Sequence, residues 1–383
     1  MIYLDNAATT YPKPRTVPRA VYQSFRRYGA NPGRAGHELS LNTAEQVYRC
    51  RKTLAEMFGA SGPDQVAFTL NCTYALNMAL KGLLRRGDHV ITSDLEHNAV
   101  MRPLEQLRLD GVITYSPARV TVGNPAATIA AFEREIRPNT RLIVCTHVSN
   151  VFGVILPVEQ IGALAHRHGL YFVLDCAQSA GVLPIRMQHL HASCLCMPGH
   201  KGLYGPMGTG ALLCNPDIPM RTLIEGGTGS LSKNLKQPDI LPDRFESGTV
   251  NVPGIIGLRA GLEFVRTRGI EAIHRHELGI AGRIYQGLAA IPGVQLYTPA
   301  PREGGGAPVI SFNIRGLGSE QAAARLSESG IAVRAGLHCA PVAHRAFHTL
   351  ESGTVRVSPG AFNTERDASI LIKSVFQIAK SRK

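Results

Sequence analysis

The chain has 383 residues, of which 44% are hydrophobic and 18% charged, a globular balance that excludes disorder over most of its length. Its net charge of +13 admits anionic substrates or an acidic partner, but the basic residues are scattered and none is interleaved with aromatics, so nucleic-acid binding is not expected. No apolar run reaches the roughly 18 residues of a membrane span, and the opening Met1-Ile2-Tyr3-Leu4-Asp5 lacks the order of a secretion signal; a cytoplasmic protein without membrane association is expected.

The densest basic groups are Arg26-Arg27, Arg85-Arg86 and the tail Lys380-Ser381-Arg382-Lys383. Strands are expected at 65–69, 89–92, 142–147, 171–175, 194–197 and 210–214, and helices at 43–58, 74–84, 127–135 and 158–168. The strands are nearly all apolar, as in a parallel sheet covered on both faces, and their alternation with helices predicts a mostly parallel, doubly wound α/β sheet. Pro253-Gly254 marks a boundary, followed by a helical stretch over 257–288 and a smaller α+β unit with strands at 309–314 and 354–357 and helices at 319–329 and 364–379. The domains expected are therefore 14–255, and 1–13 together with 256–383. The segment 299–308, with Gly304-Gly305-Gly306, reads as a surface loop.

Most of the eight cysteines lie in apolar strand-like runs, Cys145 after Leu142-Ile143-Val144 and Cys194 and Cys196 beside Leu195, where free cysteine acts as a small hydrophobe. The segment 189–196 has a superficial likeness to a metal site, but no second close-spaced pair completes a tetrahedral set, and no metal is expected. Cys339 differs. It sits in Arg334-Ala335-Gly336-Leu337-His338-Cys339-Ala340-Pro341, a polar, basic, loop-like setting that favours a thiolate.

Asp175 closes the buried run Tyr171-Phe172-Val173-Leu174, at the carboxyl end of a strand, where open α/β sheets bind ligands. A helix cap or a structural ion pair would also account for it. Lys201 follows the next strand, in Pro198-Gly199-His200-Lys201-Gly202; taken alone it suits a solvated surface charge. An aspartate at one strand end and a lysine at the next is, however, what pyridoxal phosphate requires: an amine to bond the cofactor and a carboxylate to keep its pyridine nitrogen protonated. Asn71-Cys72-Thr73 precedes an apolar helical run, so its backbone N–H groups form an anion site, or Asn71 or Thr73 is a plain N-cap.

Several motifs resemble the cysteine desulfurase/selenocysteine lyase family of class V aminotransferase-like enzymes. They are Tyr3-Leu4-Asp5-Asn6-Ala7-Ala8-Thr9-Thr10, Glu96-His97-Asn98-Ala99-Val100, His147-Val148-Ser149-Asn150, Asp175-Cys176-Ala177-Gln178, Gly199-His200-Lys201, Phe245-Glu246-Ser247-Gly248-Thr249, the run from Arg334 to Ala340, and Val355-Arg356-Val357-Ser358. They occur in family order over nearly the whole chain. The resemblance implies the pyridoxal-phosphate-dependent transferase fold of type I. It also implies that Lys201 holds the cofactor and shuttles the substrate Cα proton, that Asp175 pairs with the pyridinium nitrogen, and that Gln178 bonds the ring hydroxyl. His97 would stack on the ring and assist proton transfer as a catalytic residue, and Asn150 would orient the cofactor or the substrate carboxylate. Thr73 and His200 would bind phosphate, joined by Thr249 from the other subunit of a homodimer. Arg356 would grip the substrate carboxylate, with Arg334 nearby, and Cys339 would take the sulfur as a persulfide, its pKa lowered by Arg334 and His338. On residue type alone, Asn150 also suits a turn, Arg356 an outward-facing strand position and His97 a capped loop.

Three positions depart from the family pattern. Pro198 stands where a phosphate-binding hydroxyl is common, Tyr74 where glutamate is frequent, and Leu337 where a histidine often precedes the reactive cysteine. The expected activity is conversion of L-cysteine to L-alanine, with sulfur passed to an acceptor protein. The alternatives are transamination, selenocysteine lysis or another β-elimination, or, outside catalysis, a sulfur-carrier scaffold with an inert fold.

Overall fold

The computed structural model describes residues 1–33 and 36–381; Arg382 and Lys383 of the basic tail lie outside the described residues. In chain order the elements are β1 Ile2–Tyr3, α1 Thr16–Arg27, α2 Glu38–Phe58, β2 Val66–Thr69, α3 Cys72–Leu83, β3 Asp88–Ser93, α4 Asn98–Leu109, β4 Ile113–Ala118, α5 Pro125–Arg134, β5 Thr140–Thr146, α6 Val158–Arg167, β6 Tyr171–Asp175, β7 Cys194–Pro198 and β8 Gly210–Cys214. After a stretch of turns over 215–251 come α7 Val252–Arg268, α8 Ile270–Ala289, β9 Val294–Leu296, β10 Ile310–Ile314, α9 Ser319–Glu328, β11 Ile331–Ala332, β12 Arg334–Gly336, α10 Pro341–Ala346, β13 Thr354–Val357 and α11 Glu365–Lys380.

Seven strands form the large sheet in the order β2-β8-β7-β6-β5-β3-β4, and β8 alone runs against its neighbours. The strand side chains alternate between two cores. Phe172, Leu174, Leu195 and Met197 pack with residues of α2, α5, α6 and α7, whereas Val173, Cys194 and Cys196 pack with α3 and α4 on the opposite face. This is the mostly parallel, doubly wound sheet expected from the apolar runs, each fully buried Leu or Phe contributing about 1.5–3 kcal/mol. A four-stranded antiparallel sheet, β12-β13-β10-β9, packs on α8, α9 and α11, and β1 pairs in parallel with β11 beside it.

Several elements depart from expectation for local reasons. The helical stretch over 257–288 is two helices, because Gly269 adopts φ 85° between them, a region glycine enters freely. The division expected after residue 255 falls inside α7, whose Ile255, Leu258 and Leu262 are buried in the larger core. Strand β4, unforeseen, contains Pro117 and lies at the sheet edge, where a missing N–H is tolerated.

The opposite edge strand, β2, is closed by charge. Arg51 of α2 grips Glu246 through two bonds of 2.7 and 2.8 Å, and Phe68 N donates to the same carboxylate at 2.6 Å. Both side chains are buried. Replacing Glu246 with Ala strands the Arg51 guanidinium without a counter-ion, and a loss of about 3–5 kcal/mol is expected. Chemical denaturation measures it; a loss below about 1 kcal/mol would show that the pair behaves as an exposed one.

Candidate active site

The parallel strands present their carboxyl ends to one side of the sheet, and the titratable residues collect there. Asp175, the last residue of β6, is 2% exposed. Its Oδ1 accepts from Ala177 N at 2.8 Å and from the Cys72 thiol at 3.4 Å. Burial raises its pKa, while the Ala177 bond and the nearby Lys201 charge pull the other way. Lys201 follows β7, the neighbour of β6. Its pKa is lowered, first by burial and then by Arg356, with Asp175 opposing. The glycines beside it are dictated by space: a Cβ on Gly199 would come within 2.2 Å of Thr209 Oγ1, and one on Gly202 within 2.4 Å of the Ala180 carbonyl.

Around this pair a cavity of about 500 Å³, its open mouth included, is lined by Asn71, Cys72, Thr73, His97, Asn150, Gln178 and His200 as well. Asn71 caps α3, its Oδ1 accepting from Tyr74 N at 3.1 Å. The capping and anion-site alternatives are therefore compatible, because one side chain satisfies one N–H and leaves the others of the first turn. His97 caps α4, Nδ1 accepting from Ala99 N at 3.0 Å; burial first, then Lys201, lowers its pKa to about 4, so the ring is neutral. His200 is likewise lowered to about 4 by burial, and its Nδ1 is buried without a partner among the described residues. Gln178 donates through Nε2 to the Ala7 carbonyl at 2.9 Å.

The second sheet meets this cavity through Asn150. Arg356 Nη1 donates to the Asn150 carbonyl at 2.9 Å, and Asn150 Nδ2 donates to the His338 carbonyl at 2.9 Å. Arg356 is 1% exposed, so the outward-facing alternative fails: β13 lies between β12 and β10, and the segment that carries Asp5 meets the side chain. Its Nη2 bonds Asp5 at 2.7 Å, while its Nε is buried without a partner among the described residues. Arg334 pairs in register with Arg356.

Cys339 is exposed and has φ 57°, and its carbonyl accepts from Asn98 N at 2.7 Å, directly after His97. His338 cannot lend it charge. Burial, then Arg356, pushes the His338 ring down to about 2, so it is neutral at physiological pH. Thr249 stands apart from the Lys201 cavity of its own chain. It is exposed and lines a separate hollow with Leu70, Tyr74 and Ile224.

Four residues here carried no individual signal. Asp5 holds Arg356 across 351 positions, a separation no local pattern announces. Lys13, lowered to about 8 by burial, donates to the His200 carbonyl at 2.6 Å, and Thr10 Oγ1 donates to the Lys201 carbonyl at 3.0 Å, so the N-terminal segment braces the lysine turn. Glu96, raised to about 8 by burial, accepts from Thr146 N at 2.9 Å and so ties the turn before His97 to the end of β5. Its only sequence sign was its place in the motif Glu96-His97-Asn98-Ala99-Val100.

Residues 2–371 match the family model of class-V aminotransferases. A probable cysteine desulfurase of Methanothermobacter thermautotrophicus is 34% identical, over 99% of this chain and 94% of that protein. A probable cysteine desulfurase of Pyrococcus abyssi is also 34% identical, over 100% and 95%. Among solved structures, the apo cysteine desulfurase of Thermococcus onnurineus NA1 superposes with a TM-score of 0.92 at 32% identity, covering 99% of this chain and 95% of that one. The S-sulfonic acid form of the Escherichia coli cysteine desulfurase CsdA gives 0.88 at 26%, covering 99% and 94%.

Proposed function

The chain belongs to the class-V aminotransferase family, whose members depend on pyridoxal phosphate, and from that premise we propose that it is a cysteine desulfurase, converting L-cysteine to L-alanine with the sulfur carried off as a persulfide on Cys339. The observation that carries this reading is an exposed thiol, Cys339, on a turn joined through Asn98 and Asn150 to the rim of the cavity that holds Asp175 and Lys201.

The residues present fit the cofactor. A buried carboxylate, the amine of the half-buried Lys201 with its lowered pKa, a helix N-terminus and a His200 Nδ1 without a partner among the described residues surround one cavity. In this reading Lys201 holds the cofactor, Asp175 faces its ring nitrogen, and Thr73 with His200 takes its phosphate. Gln178 spends its amide N–H on Ala7, which leaves its carbonyl oxygen for the ring hydroxyl. When bound, pyridoxal phosphate supplies an electron sink that acidifies the substrate Cα–H. Lys201, with its lowered pKa, would accept that proton and return it to Cα once the sulfur has left, and the neutral His97 ring would lie against the bound cofactor. Arg356 offers its unpartnered Nε and remaining N–H groups as a fork for the substrate carboxylate. The Cys339 thiolate attacks the substrate sulfur: the S–S bond forms, the Cβ–S bond breaks, and its electron pair takes a proton to give alanine.

Thr249, away from its own cavity in a hollow with the exposed Leu70, Tyr74 and Ile224, supports a homodimer in which it completes the partner's phosphate site. The unpaired thiols suit the reducing cytoplasm, and the basic balance suits an acidic sulfur-acceptor protein. The test is incubation of the cofactor-loaded protein with L-cysteine: alanine formation and a labelled persulfide on the peptide carrying Cys339 are expected. A keto-acid product without alanine would replace this reading with transamination.

A further inference from the structure

The turn that presents Cys339 is held in an unfavourable shape. His338 and Cys339 adopt φ 49° and 57°, two consecutive non-glycine residues in the left-handed region. Side chains disfavour that region, and such residues persist only where their surroundings enforce it. Of the side chains at 337–339 one points inward. Leu337 and Cys339 face solvent, whereas the His338 side chain between them is 4% exposed. Its Nε2 donates to the Thr354 carbonyl at 3.0 Å. The ring stacks on His344 at 5.8 Å; His344 in turn meets Phe152 edge-on at 5.4 Å, and Phe152 stacks on Phe347 at 3.9 Å.

Thr354 and Arg356 belong to the same strand, β13. A closed circuit results: Arg356 bonds the Asn150 carbonyl, Asn150 bonds the His338 carbonyl, and the His338 ring bonds Thr354, two residues from Arg356. The circuit fixes the turn of the sulfur-accepting thiol relative to the guanidinium assigned to the substrate carboxylate.

We propose that His338 is a positioning residue, whose ring, bonded to the Thr354 carbonyl, sets the reach of Cys339 toward a substrate held at Arg356. The proposal rests on the assignment of Cys339 as sulfur acceptor. Proton transfer through His338 is not part of it. Nε2 is occupied by Thr354, and Nδ1 is buried without a partner. The charged or titratable groups that bear on the ring are Arg356, Arg334 and His344, none of which favours a cation there.

The test compares the cofactor-loaded wild type with His338→Ala and His338→Gln, the latter keeping an N–H able to meet the Thr354 carbonyl. In His338→Ala, alanine formation from L-cysteine is expected to fall on the order of 100-fold in kcat, while KM and the cofactor absorbance stay within about twofold. His338→Gln is expected to recover at least about tenfold of that loss, with the wild-type pH profile. The rate at which iodoacetamide alkylates Cys339 in the resting enzyme, which needs no turnover, is expected to change severalfold in His338→Ala and to return toward wild type in His338→Gln. An unchanged kcat in His338→Ala would overturn the proposal. So would a glutamine variant as slow as alanine that has lost a limb of the pH profile, the mark of an acid or base, or an unchanged alkylation rate. Should His338→Ala lose the cofactor through misfolding, the glutamine variant decides: near-wild-type kcat and alkylation support the anchor, and an altered pH profile rejects it. Failure of the desulfurase reading itself is distinguishable, because wild type would then make no alanine, or Cys339→Ala would make as much.

Discussion

Lys201→Ala is expected to abolish alanine formation from L-cysteine, lowering it by on the order of 10³-fold or more, since in the proposed mechanism one side chain serves as both covalent anchor and proton carrier. The position has no substitute close by. Lys13 approaches the same turn, but its ammonium is committed to the His200 carbonyl and Thr10 Oγ1 at 2.6 and 2.7 Å. The fold should survive: among the described residues the Lys201 amine makes no ion pair, and its removal takes away a charge that desolvation disfavours. The measurement is turnover alongside thermal melting. Wild-type turnover in a folded Lys201→Ala protein would remove the foundation of the mechanism.

Cys339→Ala separates cofactor chemistry from sulfur transfer. The side chain is exposed, so truncation should change stability little, within about 1 kcal/mol, and the cofactor absorbance should match wild type. Sulfur transfer should nevertheless fall by on the order of 10²-fold or more, because the nucleophile is gone. Single-turnover assays with L-cysteine and persulfide labelling check this; undiminished transfer would refute the role of Cys339. The same substitution at Cys176, just after β6, or at Cys196 in β7, both fully buried, should instead destabilise the protein by leaving a cavity.

The fold and half of the site were legible because strand ends are legible. Asp175 closes an unbroken apolar run, and Lys201 follows the next one between glycines, so the sheet brings them to neighbouring strand ends. Asn71-Cys72-Thr73 was readable for a related reason, since a short polar segment before an apolar helix must serve as its cap. Cys339 stood out by its polar, basic loop, but its role, like Arg356 and Thr249, entered through resemblance, because no local periodicity joins the second sheet to the first. Arg356 shows the limit of alternation: a strand pattern specifies two faces, but not that another segment of chain will bury the polar one. His338 was read from its neighbour in sequence as a charge donor, whereas the structure turns its ring inward to a backbone carbonyl. Asp5 and Lys13 belong to contacts spanning most of the chain, which become visible only when the N-terminal segment is laid across both sheets.

The claim on which the account depends is that the Lys201 amine carries pyridoxal phosphate. Borohydride reduction of the cofactor-loaded protein followed by peptide mapping tests it most directly. A stable pyridoxyl phosphate addition on the peptide containing Lys201, absent from Lys201→Ala, is the result predicted. No addition, or one confined to Lys13, would contradict it.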